Sequence, residues 1–90
     1  MRYTKTTLKK IEALFKELGY TVRYEKGNFV SGYAVVESKK VAVINRFYDT
    51  EARINALVEI LTSIEVDDSV LSDEARDLYY LTQVAGKRDE

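Results

Sequence analysis

The sequence predicts one α+β domain with the element order α-β-β-β-α-α. An apolar, β-branched run at residues 41–46 is followed by the most apolar helical pattern of the chain, at about residues 50–64. A second helical stripe and two strand patterns precede this pair of elements. Because the connections between the strand patterns are short, we expect a three-stranded antiparallel meander, with helices 1 and 2 packed on one face.

The first helix is predicted from an apolar stripe that begins after a cluster of possible capping threonines. Thr4, Thr6 or Thr7 can cap it, and Gly19 lies where a left-handed residue would end it. The stripe recurs at helical spacing and consists of Leu8, Ile11, Leu14, Phe15 and Leu18. Helix 1 should therefore end at Gly19.

Three strands are predicted between the first two helices. Residues 20–25 alternate strictly between apolar and polar, residues 29–37 form the second strand pattern, and residues 41–46 form the third. The turns fall at residues 26–28 and 38–40. The second strand does not alternate cleanly, because both of its faces carry apolar side chains.

The aromatic face of the second strand is the first candidate interaction surface. Phe29, Tyr33 and Val35 share one face, whereas the small residues of the other face suit a packed helix. We expect the third helix or a second subunit to cover the aromatic face. Since aromatic residues are enriched at interfaces, Tyr79 and Tyr80 of the third helix join this surface.

The second helix should begin at Asp49 or Thr50 and the third should be capped by Ser72. An acidic connector at residues 65–69 separates them, and Gly86 ends the third helix. The predicted domain therefore spans residues 1–86, and residues 87–90 form a frayed, charged tail.

Composition excludes several chemistries. The chain has no Cys and no His, so disulfides, thiolate metal sites and the usual general base are excluded. The acidic residues at 65–74 lack the ligand spacing of a calcium loop, and no glycine-rich phosphate loop is present. We therefore predict no catalytic, metal or cofactor site. No run is apolar enough to cross a membrane, and no hydrophobic signal core is found, which makes the cytoplasm the expected location.

The charges are distributed unevenly along the chain. Up to residue 40 there are nine Lys and Arg against four Asp and Glu, and beyond it five against eleven. These charges could pair the two halves within one fold, or they could orient a partner.

A polar cluster is predicted where the third strand runs into the second helix. It consists of Asn45, Arg46, Tyr48 and Arg53. Arg53 lies beside the apolar stripe of its helix, so its guanidinium should be partly enclosed and need an acidic or carbonyl partner. A hydrogen-bonded corner is the simpler interpretation, and recognition of an anionic ligand is the other.

The strand ending in Asn45 and the Arg53-containing helix resemble the corresponding elements of the ImmA/IrrE type of zinc peptidase. The resemblance covers residues 8–62 and places Glu59 at the general base of the family's HExxH motif. Val58 and Thr62 stand where that motif has its two zinc-binding histidines. The resemblance therefore implies kinship of fold and a non-catalytic relative. The chain also resembles a family of small uncharacterised bacterial proteins, a likeness that implies no function.

The element order is also similar to that of double-stranded RNA-binding domains, which suggests a nucleic-acid alternative. The basic residues available for it are Lys5, Lys9, Lys10, Lys16, Lys39 and Lys40. Acidic residues at the start of helix 2 would repel phosphate, which disfavours this alternative. We expect instead a non-catalytic domain that contacts another protein or forms a homodimer.

Overall fold

The computed structural model describes residues 1–27 and 32–86, with side chains through residue 84. The predicted element order is confirmed. It comprises α1 (Lys5–Glu17), β1 (Thr21–Glu25), β2 (Tyr33–Val36), β3 (Val41–Asn45), α2 (Thr50–Ser63), a short 3₁₀ turn (Asp68–Val70) and α3 (Asp73–Gly86). The predicted frayed tail at residues 87–90 lies outside the described residues.

α1 ends in a Schellman motif centred on Gly19. Gly19 has φ +86°, its N–H donates to the Lys16 carbonyl, and the Tyr20 N–H donates to the Phe15 carbonyl, both at 2.9 Å. The Phe15 and Tyr20 rings meet edge to face with centroids 6.1 Å apart. This contact fixes the direction in which β1 leaves the helix.

The predicted capping residues occupy the starts of all three helices. Thr4 accepts from the Thr7 N–H, Asp49 from the Ala52 N–H, and Ser72 from the Ala75 N–H. Ser72 is itself held by α1, since its N–H and hydroxyl both donate to the Glu17 carboxylate. The start of α3 is thereby tied to the end of α1, and the two helices run antiparallel.

The antiparallel meander is wrong, because β3 lies in the centre of the sheet. The strand order is β1-β3-β2, with β1 parallel and β2 antiparallel to β3. β1 and β2 are therefore not neighbours in the sheet, although only residues 26–32 separate them in the sequence. β3 is central because it is apolar on both faces. Ala42 and Ile44 are fully buried on one face, and Val41 and Val43 are half-buried on the other.

α1 and α2 pack on one face of the sheet, and α3 packs on these two helices. The core joins the apolar stripes of α1 and α2 to Ala42 and Ile44, with Tyr33 and Val35 packed against it. The prediction that the third helix or a second subunit covers the aromatic side of β2 is therefore wrong, since Tyr33 and Val35 pack against the core that α1 and α2 form with the sheet. The register explains this, because Tyr33 is opposite Ile44 and Val35 is opposite Ala42.

Gly32 allows β2 to begin beneath the Tyr48 ring. It is buried with φ +85°, and its carbonyl accepts the Asn45 N–H at 2.9 Å. A Cβ at this position would lie 1.6 Å from the Tyr48 hydroxyl oxygen. We therefore expect Gly32→Ala to lower the free energy of unfolding by about 3 kcal/mol in urea denaturation, because backbone strain adds to displacement of the ring.

Gly19→Ala is the matched control for this substitution. Gly19 has nearly the same φ, but the nearest atom to an added Cβ is 3.5 Å away, on the Lys40 side chain. Gly19→Ala should therefore lower the free energy of unfolding by about 1 kcal/mol, the backbone strain alone. Equal losses for the two variants would show that the Tyr48 contact does not constrain β2.

Candidate functional site

The predicted polar corner is a hydrogen-bonded structure built around Arg53. Its Nε donates to the Tyr48 carbonyl at 3.0 Å and its Nη2 donates to the Arg46 carbonyl at 2.9 Å. The Asn45 side-chain oxygen accepts the Phe47 N–H at 2.9 Å within the same turn. The four predicted corner residues do lie together, and two main-chain carbonyls accept hydrogen bonds from the Arg53 guanidinium.

Arg53 also connects this corner to β1 through an aromatic ring. Its guanidinium carbon lies 4.3 Å from the centroid of the Tyr24 ring. The Tyr24 hydroxyl donates to the Glu12 carboxylate of α1. Burial, and then the bond to Glu12 and its negative charge, raise the pKa of Tyr24 above its usual value, while the Arg53 charge opposes this.

The sequence analysis missed Glu12 and Tyr24. Tyr24 was assigned only as a member of an alternating strand, and no role was assigned to Glu12. A carboxylate placed at the border of an apolar helical stripe was the available signal, since such a group needs a buried donor. Together Glu12, Tyr24 and Arg53 join α1, β1 and α2.

β1 forms a free edge of the sheet. The Thr21 N–H donates to the Lys40 carbonyl at 2.9 Å, and the Arg46 N–H donates to the Glu25 carbonyl at 3.0 Å, both toward β3. In a parallel pair, alternate residues direct both backbone groups to the same side. The N–H and C=O groups of Val22 and Tyr24 therefore point away from β3, where no partner lies within residues 1–27 and 32–86.

An open cleft of about 380 Å³ lies beside this edge, between α1 and β1. Its lining consists of Glu12, Lys16, Tyr20, Thr21, Val22 and Tyr24. α1 packs on the inner face of β1 but leaves its outer edge accessible. The same two residues, Val22 and Tyr24, therefore offer their backbone groups to the edge and their side chains to the cleft.

The face of the sheet opposite the helices is open in the part of the chain that the structure describes. Val36 is exposed, and Val41 and Val43 of the central strand are only half-buried. Arg23 and Glu25 flank them on β1 and form an ion pair of 2.6 Å. We name this surface, Arg23, Glu25, Val36, Val41 and Val43, the open face.

The four described residues of the predicted interaction surface do not form one surface. Phe29 lies outside the described residues, and Tyr33 and Val35 pack toward the helices. Burial, followed by the neighbouring Glu59, raises the pKa of Tyr33. On α3, Tyr79 is half-buried against the core, and Tyr80 is exposed with its hydroxyl bonded to Asp68 at 2.6 Å.

α3 presents a second exposed apolar surface. Tyr80, Leu81 and Val84 are 50%, 53% and 67% exposed, and we name them the α3 stripe. A groove of about 300 Å³ between α1 and α3 adjoins the stripe, and Leu78 and Leu81 line it. Its acidic border comprises Glu17, Glu74 and Asp77.

In the described part of the chain, no ion pair joins the basic half, up to residue 40, to the acidic half beyond it. Among the described residues, the ion pairs are Arg23–Glu25, within the basic half, and Arg76–Asp73, within the acidic half. The α1 lysines form no ion pair with this part of the chain. The Lys40 ammonium donates to the Leu18 carbonyl at the end of α1.

Within the described residues, no group of three or more Asp or Glu side chains is arranged to hold a metal ion. No helix there is long and apolar enough to cross a membrane. At the positions that resemble the peptidase motif, Val58 is buried in the core and the Thr62 hydroxyl donates to the Glu59 carbonyl at 2.7 Å.

Comparisons with protein-family models, curated proteins and solved structures found no match to this chain. The resemblance to ImmA/IrrE peptidases therefore stays a prediction.

Arg53→Met should lower the free energy of unfolding by about 3 kcal/mol. The substitution keeps an apolar stem but leaves the Arg46 and Tyr48 carbonyls without a charged donor and removes the contact with the Tyr24 ring. Urea denaturation followed by circular dichroism measures the loss.

Arg46→Met is the control, because the Arg46 side chain is exposed and lies 5.7 Å from the exposed Phe47 ring. This substitution should lower the free energy of unfolding by no more than about 0.5 kcal/mol. A similar small loss at Arg53 would mean that the corner does not hold the turn.

Proposed function

We propose that this protein is a non-catalytic cytoplasmic domain that acts by protein–protein contact, and that its first partner is a second copy of itself. One observation carries the proposal: the sheet is incomplete on two sides. In the part of the chain that the structure describes, its open face leaves apolar side chains of the central strand in contact with solvent, and its β1 edge leaves backbone groups of Val22 and Tyr24 unpaired.

The open face supports a partner because parallel strands are normally covered on both faces. β3 pairs with β1 in parallel and carries Val41 and Val43 on the side opposite the helices. A strand with apolar residues on both faces is typical of a sheet interior. Another layer or another strand would reduce this exposure.

The non-catalytic part of the proposal rests on residue types. The chain lacks the His and Cys side chains that most nucleophilic and general-base chemistry uses. At the position where the zinc peptidases have their first zinc-binding histidine, Val58 is part of the core and does not face a cleft. Arg53, the most enclosed cation of the corner, already donates to two carbonyls.

Nucleic-acid binding is the second candidate, and the lysines of α1, which form no ion pair with residues 1–27 and 32–86, favour it. The Lys40 ammonium extends this basic surface past the end of the helix. Against it, Asp49 caps α2 and Glu51 lies in its first turn, so this helix start repels phosphate. We therefore rank contact with protein first.

Light scattering coupled to size-exclusion chromatography tests self-association. We expect a mass of about twice the 10.3 kDa of the chain at micromolar concentration, and a shift toward the single-chain mass on dilution. A mass of 10.3 kDa at every concentration up to the submillimolar range would refute the proposal.

A further inference from the structure

We infer that two copies of this chain pair through their β1 edges, antiparallel and in one register, so that two three-stranded sheets become one continuous sheet. This inference rests on the proposed self-association and adds the interface to it. It follows from three features of β1: the direction of its free backbone groups, its lack of protection, and the order of its charges.

The free backbone groups specify what kind of partner β1 can take. Val22 and Tyr24 each offer one N–H and one C=O away from β3, at the spacing of an extended chain. A strand satisfies such alternating donors and acceptors, whereas a helix has already used its own. The occupant of this edge is therefore an extended segment.

β1 also lacks the devices that normally keep an edge strand from pairing. It contains no Pro and no Lys, and its register with β3 is continuous over five residues, without a bulge. Its two charges, Arg23 and Glu25, neutralise each other at 2.6 Å. The cleft between α1 and β1 leaves room beside the edge for the side chains of a second strand.

The charges select a second copy as the occupant and fix its register. Pairing Val22 with the partner's Tyr24 would place Arg23 directly opposite the partner's Arg23, and like charges opposite each other are destabilising. Pairing Tyr24 with the partner's Tyr20 would need a backbone N–H that already donates to Phe15.

The remaining register pairs Tyr24 with the partner's Tyr24. It places Arg23 opposite the partner's Glu25 and Glu25 opposite the partner's Arg23, so that two opposite-charge pairs form across the two-fold axis. The strand is therefore complementary to itself in this register.

The α3 stripe is the competing surface. Asp73, Glu74 and Asp77 lie on the first two turns of the same helix. Two α3 helices that met here would bring these acidic side chains together, so the α3 stripe suits a basic partner surface better than a second α3. Leu81→Asp places a charge in the exposed α3 stripe and is the control variant. If copies pair through β1, this substitution should leave their pairing unchanged.

Disulfide trapping tests the register directly, because the natural chain contains no cysteine. Two single variants, Arg23→Cys and Glu25→Cys, are prepared separately, mixed, exchanged by dilution and reconcentration, and oxidised. Directly opposite, non-hydrogen-bonded residues have Cα atoms about 4.5 Å apart, within disulfide range, whereas diagonal residues lie about 7–8 Å apart. Each mixed dimer also keeps one Arg–Glu pair.

We expect covalent dimers from the mixture and only background levels from either variant alone, on non-reducing gels. Efficient trapping of Arg23→Cys alone would overturn the register. Absence of trapping in the mixture, while the wild-type mass stays twice that of one chain, would overturn the β1 interface and leave self-association standing.

The control separates the two surfaces further. If Leu81→Asp is monomeric although it remains folded by circular dichroism, copies meet through the α3 stripe, and the β1 inference falls. If it retains the double mass and the mixture still traps, the inference holds. A wild-type chain that is always monomeric removes both the inference and the proposed function.

Discussion

The Arg53 guanidinium is the contact on which the arrangement of the other elements depends. It donates to two carbonyls of the turn between β3 and α2 and stacks on the Tyr24 ring of β1. Through the Tyr24 hydroxyl, the same group is linked to Glu12 on α1. A single side chain therefore holds the parallel strand pair, the start of α2 and the first helix in one geometry. Since main-chain carbonyls and an aromatic ring are its partners in these contacts, this role needs no ligand.

Through this linkage, β1 is tied to α1 and α2 by its side chains while its outer edge stays accessible. Its inner side chains are fixed by the helices, so the backbone of Val22 and Tyr24 is presented in an extended conformation before any partner arrives. A preorganised edge loses little conformational entropy on pairing. Pairing of two such edges would also join the two open faces into one larger surface.

Local signals in the sequence predicted the helices well. Gly19 ends α1 with the expected left-handed residue, and Asp49 and Ser72 cap the following helices. These features depend on contacts within a few residues, which a pattern can show. The side-chain parity of β2 was also correct, since Tyr33 and Val35 do share a face.

The errors arose where distant residues decide the outcome. Both faces of β2 carry apolar side chains, so only its register with Ala42 and Ile44 determines which face meets the helices. Strand order likewise depends on the pairing of Glu25 with Asn45, across twenty residues of chain, and not on either strand alone. The candidate site followed the same rule. The corner at Arg53 was predicted from residues close in sequence, whereas the Tyr24 ring that Arg53 contacts and the Glu12 carboxylate that accepts from Tyr24 were not.

Amide hydrogen exchange of β1 tests the central claim most directly. In a single chain the Val22 and Tyr24 amides have no acceptor within the described residues, whereas the Arg23 amide is directed to β3 and serves as an internal reference. We predict that Val22 and Tyr24 are protected at high protein concentration and lose protection on dilution, while Arg23 stays protected throughout. Rapid exchange of Val22 and Tyr24 at a concentration where the mass is twice that of one chain would contradict pairing through this edge.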